Sequence, residues 1–226
     1  METELATLKD KLLTMASRAE AAVNRAVRAL VRRDDDLARR TREEDDAIDR
    51  LEIEIDGDAL GLLLLKPALH QLRFVTMAMK ISHNLERVGD EATTISRRVL
   101  ELSQEPQLPQ AAEIPRMAGL ALAMLKDALD AFVRRDPLRA RAVIPRDEEV
   151  DALNQQLQGE LTALMAARPA TVTRALHLMV VCKSLERIAD HATNVAEEVV
   201  YLYEGIDIRH DHPAPPPAVL AAHPQP

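Results

Sequence analysis

The feature that most constrains this chain is an internal repeat. Leu85-Glu-Arg-Val-Gly-Asp-Glu-Ala-Thr-Thr-Ile95 lies over Leu185-Glu-Arg-Ile-Ala-Asp-His-Ala-Thr-Asn-Val195 at a shift of 100, with six of eleven pairs identical. Asp45-Asp-Ala-Ile-Asp-Arg-Leu51 lies over Asp147-Glu-Glu-Val-Asp-Ala-Leu153 at a shift of 102. Pro67 falls on Pro169 and Met15-Ala16 on Met117-Ala118 at that same shift. Such self-similarity means that one structural unit is built twice.

The unit is helical. Leu5, Leu8, Leu12, Met15, Ala19, Ala22 and Ala26 step by three and four, the apolar seam of a helix in a bundle. Ile81, Leu85, Val88, Ala92, Ile95, Val99 and Leu102 repeat that pattern, as do Val181, Leu185, Ile188, Ala192, Val195, Val199 and Leu202. Breaks fall at Arg33-Asp-Asp-Asp36, from Gly57 to Pro67, and from Gln104 to Pro115. The expected fold is therefore all-α, a tandem duplication of a three-helix bundle. Its six helices are placed near 3–32, 36–63, 68–103, 113–135, 137–165 and 170–205. This divides the chain into a first bundle over 1–105, a second over 106–208, and a tail over 209–226. The tail holds six of the thirteen prolines and is read as disordered.

Composition narrows the function. Aromatics are 2% of the 226 residues and glycines number six, too few for a β-sandwich or a nucleotide fold with its glycine-rich turns. A net charge of −8 without a basic run argues against nucleic acid. Cys182, the single cysteine, is read as a buried thiol in a reducing compartment. The longest apolar run, 59–65, is far below the roughly 18–20 residues that span a bilayer, and the N-terminus has no signal-peptide core. A soluble cytoplasmic protein is expected.

The chemistry sits in four acid-x-x-x-Asp pairs: Asp45/Asp49, Glu86/Asp90, Asp147/Asp151 and Glu186/Asp190. Residues four apart share a helix face, and like charges there cost a few tenths of a kcal/mol each. Four repeats of that penalty invite a cation held by carboxylate oxygens. Asp45, Asp49, Glu52 and Asp56 extend one stripe, and Asn194 and Glu197 extend another. On a helical wheel Glu186, Asp190, Asn194 and Glu197 lie about 150° from the seam, so the site is expected to be superficial and outward-facing. Solvated surface is the plain alternative, with Arg87 pairing to Glu91 one turn on. His70, His83, His177 and His191 are read as structural. A di-iron centre would need Glu-x-x-His at the seam, which is not found, and no phosphate loop or nucleophile grouping points to an enzyme.

Leu85-Glu-Arg-Val-Gly-Asp-Glu-Ala, its copy Leu185-Glu-Arg-Ile-Ala-Asp-His-Ala-Thr-Asn-Val-Ala-Glu197, the paired Asp45-Asp-Ala-Ile-Asp49 motif and the ending Tyr201-Leu-Tyr-Glu-Gly-Ile-Asp-Ile-Arg-His210 resemble the PhoU family. The resemblance runs to His210 and implies two similar three-helix bundles side by side. It implies a regulator that links the ATPase subunit of a phosphate ABC transporter to a sensor histidine kinase and represses the starvation regulon when phosphate is plentiful. Such a protein is peripheral to membrane complexes, and a homodimer is compatible with the exposed faces. Family members with bound metal hold iron or zinc, with magnesium or manganese less favoured, on pairs that map to Asp45, Asp49, Glu86 and Asp90 and to Asp147, Asp151, Glu186 and Asp190. Two departures stand out. Gln71 replaces the acid of the family's Pro-x-Ala-x-Asp-Leu-Arg stretch. Pro145, just before Asp147, is expected to kink or restart its helix and displace the second acidic pair relative to the first.

Overall fold

The computed structural model describes residues 1–209; the tail expectation, from residue 210 onward, lies outside the described residues. The described chain is α1 (Glu2–Arg32), α2 (Asp35–Glu43), α3 (Asp46–Leu64) and α4 (Leu69–Leu102), followed by α5 (Ile114–Arg134), α6 (Pro137–Val143), α7 (Asp147–Ala167) and α8 (Val172–Glu204). Each repeat is thus three long helical rods, the middle one interrupted. No strand occurs among the described residues.

The helices form where the apolar steps fall. Leu8, Leu12, Met15, Ala19, Val23 and Ala26 of α1 are fully enclosed, as are Ile81, Leu85, Val88, Ala92 and Ile95 of α4. Small residues such as Ala121, Ala128 and Ala131 let α5 approach its neighbours closely. Truncating a buried leucine such as Leu85 removes about 2–5 kcal/mol. The helix stops are duplicated too. Arg33 and Arg135 both end their helices in the left-handed region, at φ 56° and 57°. Asp34 and Asp136 then start the next helix by accepting the backbone N–H of Leu37 at 2.9 Å and of Arg139 at 3.0 Å.

The interruption of the middle rod corrects one expectation. A single helix over 36–63 is replaced by α2 and α3, with turns at Glu44 and Asp45. Pro145 does restart the helix in the second repeat, through one 3₁₀ turn over Ile144–Arg146. The first repeat makes the same break without a proline, at the acid run Glu43-Glu-Asp-Asp46, whose residue types favour helix starts. The second acidic pair is therefore not displaced: Asp45 is the N-cap of α3 and Asp147 the first residue of α7.

Gln71 has acquired a local task. Its side-chain oxygen accepts the backbone N–H of Ala68 at 3.0 Å, closing the start of α4.

Helices α4 and α8 lie at the centre. α4 packs on α1, α2, α3 and α8, and α8 packs on α4, α5, α6 and α7. A single apolar core connects the repeats, from Leu8 in α1 to Leu202 in α8, with a small satellite around Leu108, Leu161 and Leu178. Cys182 is buried in it, and burial pushes its thiol up to about 12. No helix among the described residues is long and apolar enough to cross a membrane.

Candidate metal centre

Because α4 and α8 are central, the face opposite each apolar seam is covered by another helix. Asp45 and Asp49 of α3 meet Glu86 and Asp90 of α4, while Asp147 and Asp151 of α7 meet Glu186 and Asp190 of α8. All eight expected residues are thus gathered into two clusters, one per repeat. The outward-facing expectation holds in part, since Asp49 is exposed and the Asp90 side chain keeps 45% of its surface. Glu186 retains 9% of its surface, and the Glu86 side chain 16%. The wheel located the acids correctly relative to the seam, and α3 and α7 cover part of that flank, most of all at Glu86 and Glu186.

Burial and like charge act together on these carboxyls. Burial first, then Asp49, Asp90 and Asp46, raise Asp45 to about 6. Burial raises Glu86 to about 7, helped by Asp90 and Glu52 and opposed by Arg87 and His83. In the second repeat burial, Asp190, Asp151 and Glu186 raise Asp147 to about 6. Asp49 and Asp190 are raised as well, again chiefly by burial. Two repeat-related oxygens, Oδ1 of Asp45 and Oδ1 of Asp147, are enclosed without a hydrogen-bond donor. Buried acceptors of this kind cost about 1–3 kcal/mol unless a donor or cation meets them.

Gly89 explains how Asp45 reaches α4. A Cβ at that position would stand 2.9 Å from Asp45 Oδ1 and 3.0 Å from Ile48 Cδ1. The bare glycine lets the carboxylate lie against the helix. Its repeat mate is Ala189.

The surrounding cations differ from expectation. Arg87 pairs with Glu86 at 3.3 Å and Asp90 at 3.1 Å, rather than with Glu91. Glu91 is met instead by Arg187 from the other repeat, at 3.2 Å. Lys183 pairs with Glu186. His83 Nδ1 stands 3.2 Å from Glu52 Oε1, and Glu52, His83 and Glu86 offer ligand atoms within 4.8 Å of one another. The spacing His83-x-x-Glu86 puts both side chains on one face of α4. His191 is largely buried, contacts Asn84 at 3.0 Å through Nδ1, and is lowered to about 4 by burial and the nearby cations Arg87, His83 and Arg187.

The profile of the PhoU domain matches this chain twice, over residues 12–99 and 114–199. The chain belongs to the PhoU family. The phosphate-specific transport system accessory protein PhoU homolog of Pseudomonas aeruginosa is 38% identical over 209 residues, covering 92% of this chain and 86% of that protein. The homolog of the same name from Caulobacter vibrioides is 39% identical over 212 residues, covering 93% of this chain and 92% of the relative. The crystal structure of PhoU from Pseudomonas aeruginosa superposes with a TM-score of 0.88 at 37% identity, over 91% of this chain and 99% of that one. The phosphate transport system regulatory protein PhoU from Streptococcus pneumoniae gives 0.85 at 29% identity, over 92% and 98%. The PhoU fold thus agrees with the duplication read from the repeats.

Among the described residues only Glu52, His83 and Glu86 place three donor atoms within 4.8 Å of one another, so a cation on the four carboxylates of either repeat would need their side chains to move. Hard or borderline ions take carboxylate oxygens, and a divalent charge would satisfy the enclosed oxygens of Asp45 and Asp147. Asp45, Asp49, Glu86 and Asp90 would hold it in the first repeat. Asp147, Asp151, Glu186 and Asp190 would do so in the second.

Proposed function

We propose that this chain is an accessory regulator of phosphate-specific transport. One observation supports that reading above the rest: PhoU homologs bearing that name match nearly the whole chain, both repeats included, at close to 40% identity. In this reading the helical surfaces dock on the ATPase subunit of a phosphate ABC transporter and on a sensor histidine kinase. The complex restrains uptake and holds the starvation regulon off while phosphate is plentiful. The protein works in the cytoplasm at the inner face of the membrane complex.

The carboxylate clusters hold iron or zinc in this reading. A cation there ties α3 to α4 and α7 to α8, so the metal fixes the shape that the partners meet. The enclosed, donorless oxygens of Asp45 and Asp147 favour a cation over bare solvated acids.

The test is a pull-down of the tagged chain from its native host, with metal content measured on the same sample. Recovery of a transporter ATPase and a histidine kinase with stoichiometric iron or zinc is expected. Recovery of neither partner would remove the regulatory reading.

A further inference from the structure

The two carboxylate clusters are related by the repeat, yet they differ at several positions, three of which bear on metal chemistry. Glu52 of the first repeat is Asn154 in the second, His83 is Lys183, and Gly89 is Ala189. The first two lie side by side. Glu52 is on α3, one turn beyond Asp49, and His83 is on α4, one turn before Glu86.

Their separation is that of a hydrogen bond and equally fits two ligands on one small ion. His83 Nδ1 and Glu52 Oε1 are 3.2 Å apart. Two donors on a tetrahedral zinc, each at roughly 2.0–2.1 Å, stand about 3.3 Å from one another. Glu86 supplies a third donor within 4.8 Å of both, a gap that a small side-chain rotation closes. Glu52 and His83 also line an open groove of about 510 Å³ between α3, α4 and α8, which leaves space for water or another ligand on the ion. An imidazole beside carboxylates suits zinc-class ions and is a poor set for magnesium.

The second repeat has no such set. Asn154 brings no charge, and Lys183 cannot donate a lone pair while protonated. Its ammonium instead pairs with Glu186, so part of the positive charge that the cluster requires is already covalently attached. Arg87 is the counterpart in the first repeat, but its side chain is half exposed and can turn to solvent.

We propose that Glu52, His83 and Glu86 form a nitrogen-containing site for a zinc-class ion, present in the first repeat and missing from the second. Glu86 is then shared between this position and the Asp45, Asp49 and Asp90 carboxylates, so the repeats differ in both metal number and metal preference. The inference rests on the reading that the clusters hold metal at all.

The experiment is a titration of the full, metal-stripped chain with Zn²⁺ by calorimetry and with Co²⁺ by visible absorption. Wild type is set beside His83→Gln and the transplant Asn154→Glu/Lys183→His. His83 is 57% exposed, so its replacement leaves the fold intact, which circular dichroism checks. His83→Gln should lose one Zn²⁺ equivalent or weaken it at least about ten-fold, and lose the intense Co²⁺ bands of a nitrogen-ligated tetrahedral ion. The transplant should gain one equivalent. Histidines of the tail are identical in all three proteins and cancel in the comparison. If wild type and His83→Gln titrate alike, the His83 site is wrong while the carboxylate sites stand. If wild type takes up no metal, both readings fall together.

Discussion

Arg187 of α8 reaches across the junction between the repeats to Glu91 of α4, at 3.2 Å. The duplication predicts a mate for this pair between Arg87 and position 191, but that position is a histidine rather than an acid. His191 is an imidazole kept neutral by burial and nearby cations, and Arg87 has turned to Glu86 and Asp90. His191 meets Asn84 of α4 at 3.0 Å, so the two sides of the pseudo-symmetry carry different polar contacts.

Losing Arg187 should cost more than its exposure suggests. Glu91 is 9% exposed and its second carboxylate oxygen has no donor. Arg187→Met strands that charge, at about 1–3 kcal/mol. Glu91→Gln, which removes the charge itself, should cost less. Urea unfolding of both variants checks the order.

The raised carboxyls set a pH dependence. Glu86 titrates near 4.5 when unfolded and near 7 in the fold, so between those values the folded chain holds the extra proton. Its contribution to stability is complete below about pH 4.5 and is lost as the pH rises through 7. His191 runs the other way, since its folded value of about 4 favours the neutral ring at higher pH. The diagnostic is thus a difference. Metal-free Glu86→Gln should gain on wild type as the pH rises from 5 to about 8, measured by thermal melts. Parallel profiles would mean that Glu86 is not held protonated by its surroundings.

Gly89→Ala should separate stability from binding. The new Cβ meets Asp45 Oδ1 at 2.9 Å, a crowding cost that a better helix former offsets by up to about 1 kcal/mol. The melting point should move little, while Zn²⁺ uptake by the first repeat weakens as Asp45 is displaced. Calorimetry beside the melts distinguishes the two.

Gln71→Ala tests the cap of α4. It frees the exposed Ala68 N–H to water and should cost no more than about 0.5–1 kcal/mol, read by urea unfolding.

The fold was largely readable before any coordinates. Leu85 to Ile95 and Leu185 to Val195 reported both the duplication and the apolar seam, because a helix buried along one stripe must repeat its apolar spacing. The break at Glu44-Asp45 was not readable in the same way, since four consecutive acids fit a helix interior and a helix start equally well. For the site, the i, i+4 pairs identified the eight carboxylates and the repeat matched them. The burial of Glu86 and Glu186 escaped the wheel, which describes one helix and cannot know that α3 and α7 lie over part of the second face. His83 escaped for a related reason: its partner Glu52 is 31 residues away on another helix.

The most direct measurement is made in the native host. The gene is deleted, and a phosphate-starvation reporter is read in phosphate-rich medium, with complementation by wild type and by Asp90→Asn/Asp190→Asn. The account predicts that deletion raises reporter output and that wild type restores repression, whereas the double variant restores it poorly. Unchanged output on deletion, in a host with no second copy, would contradict it.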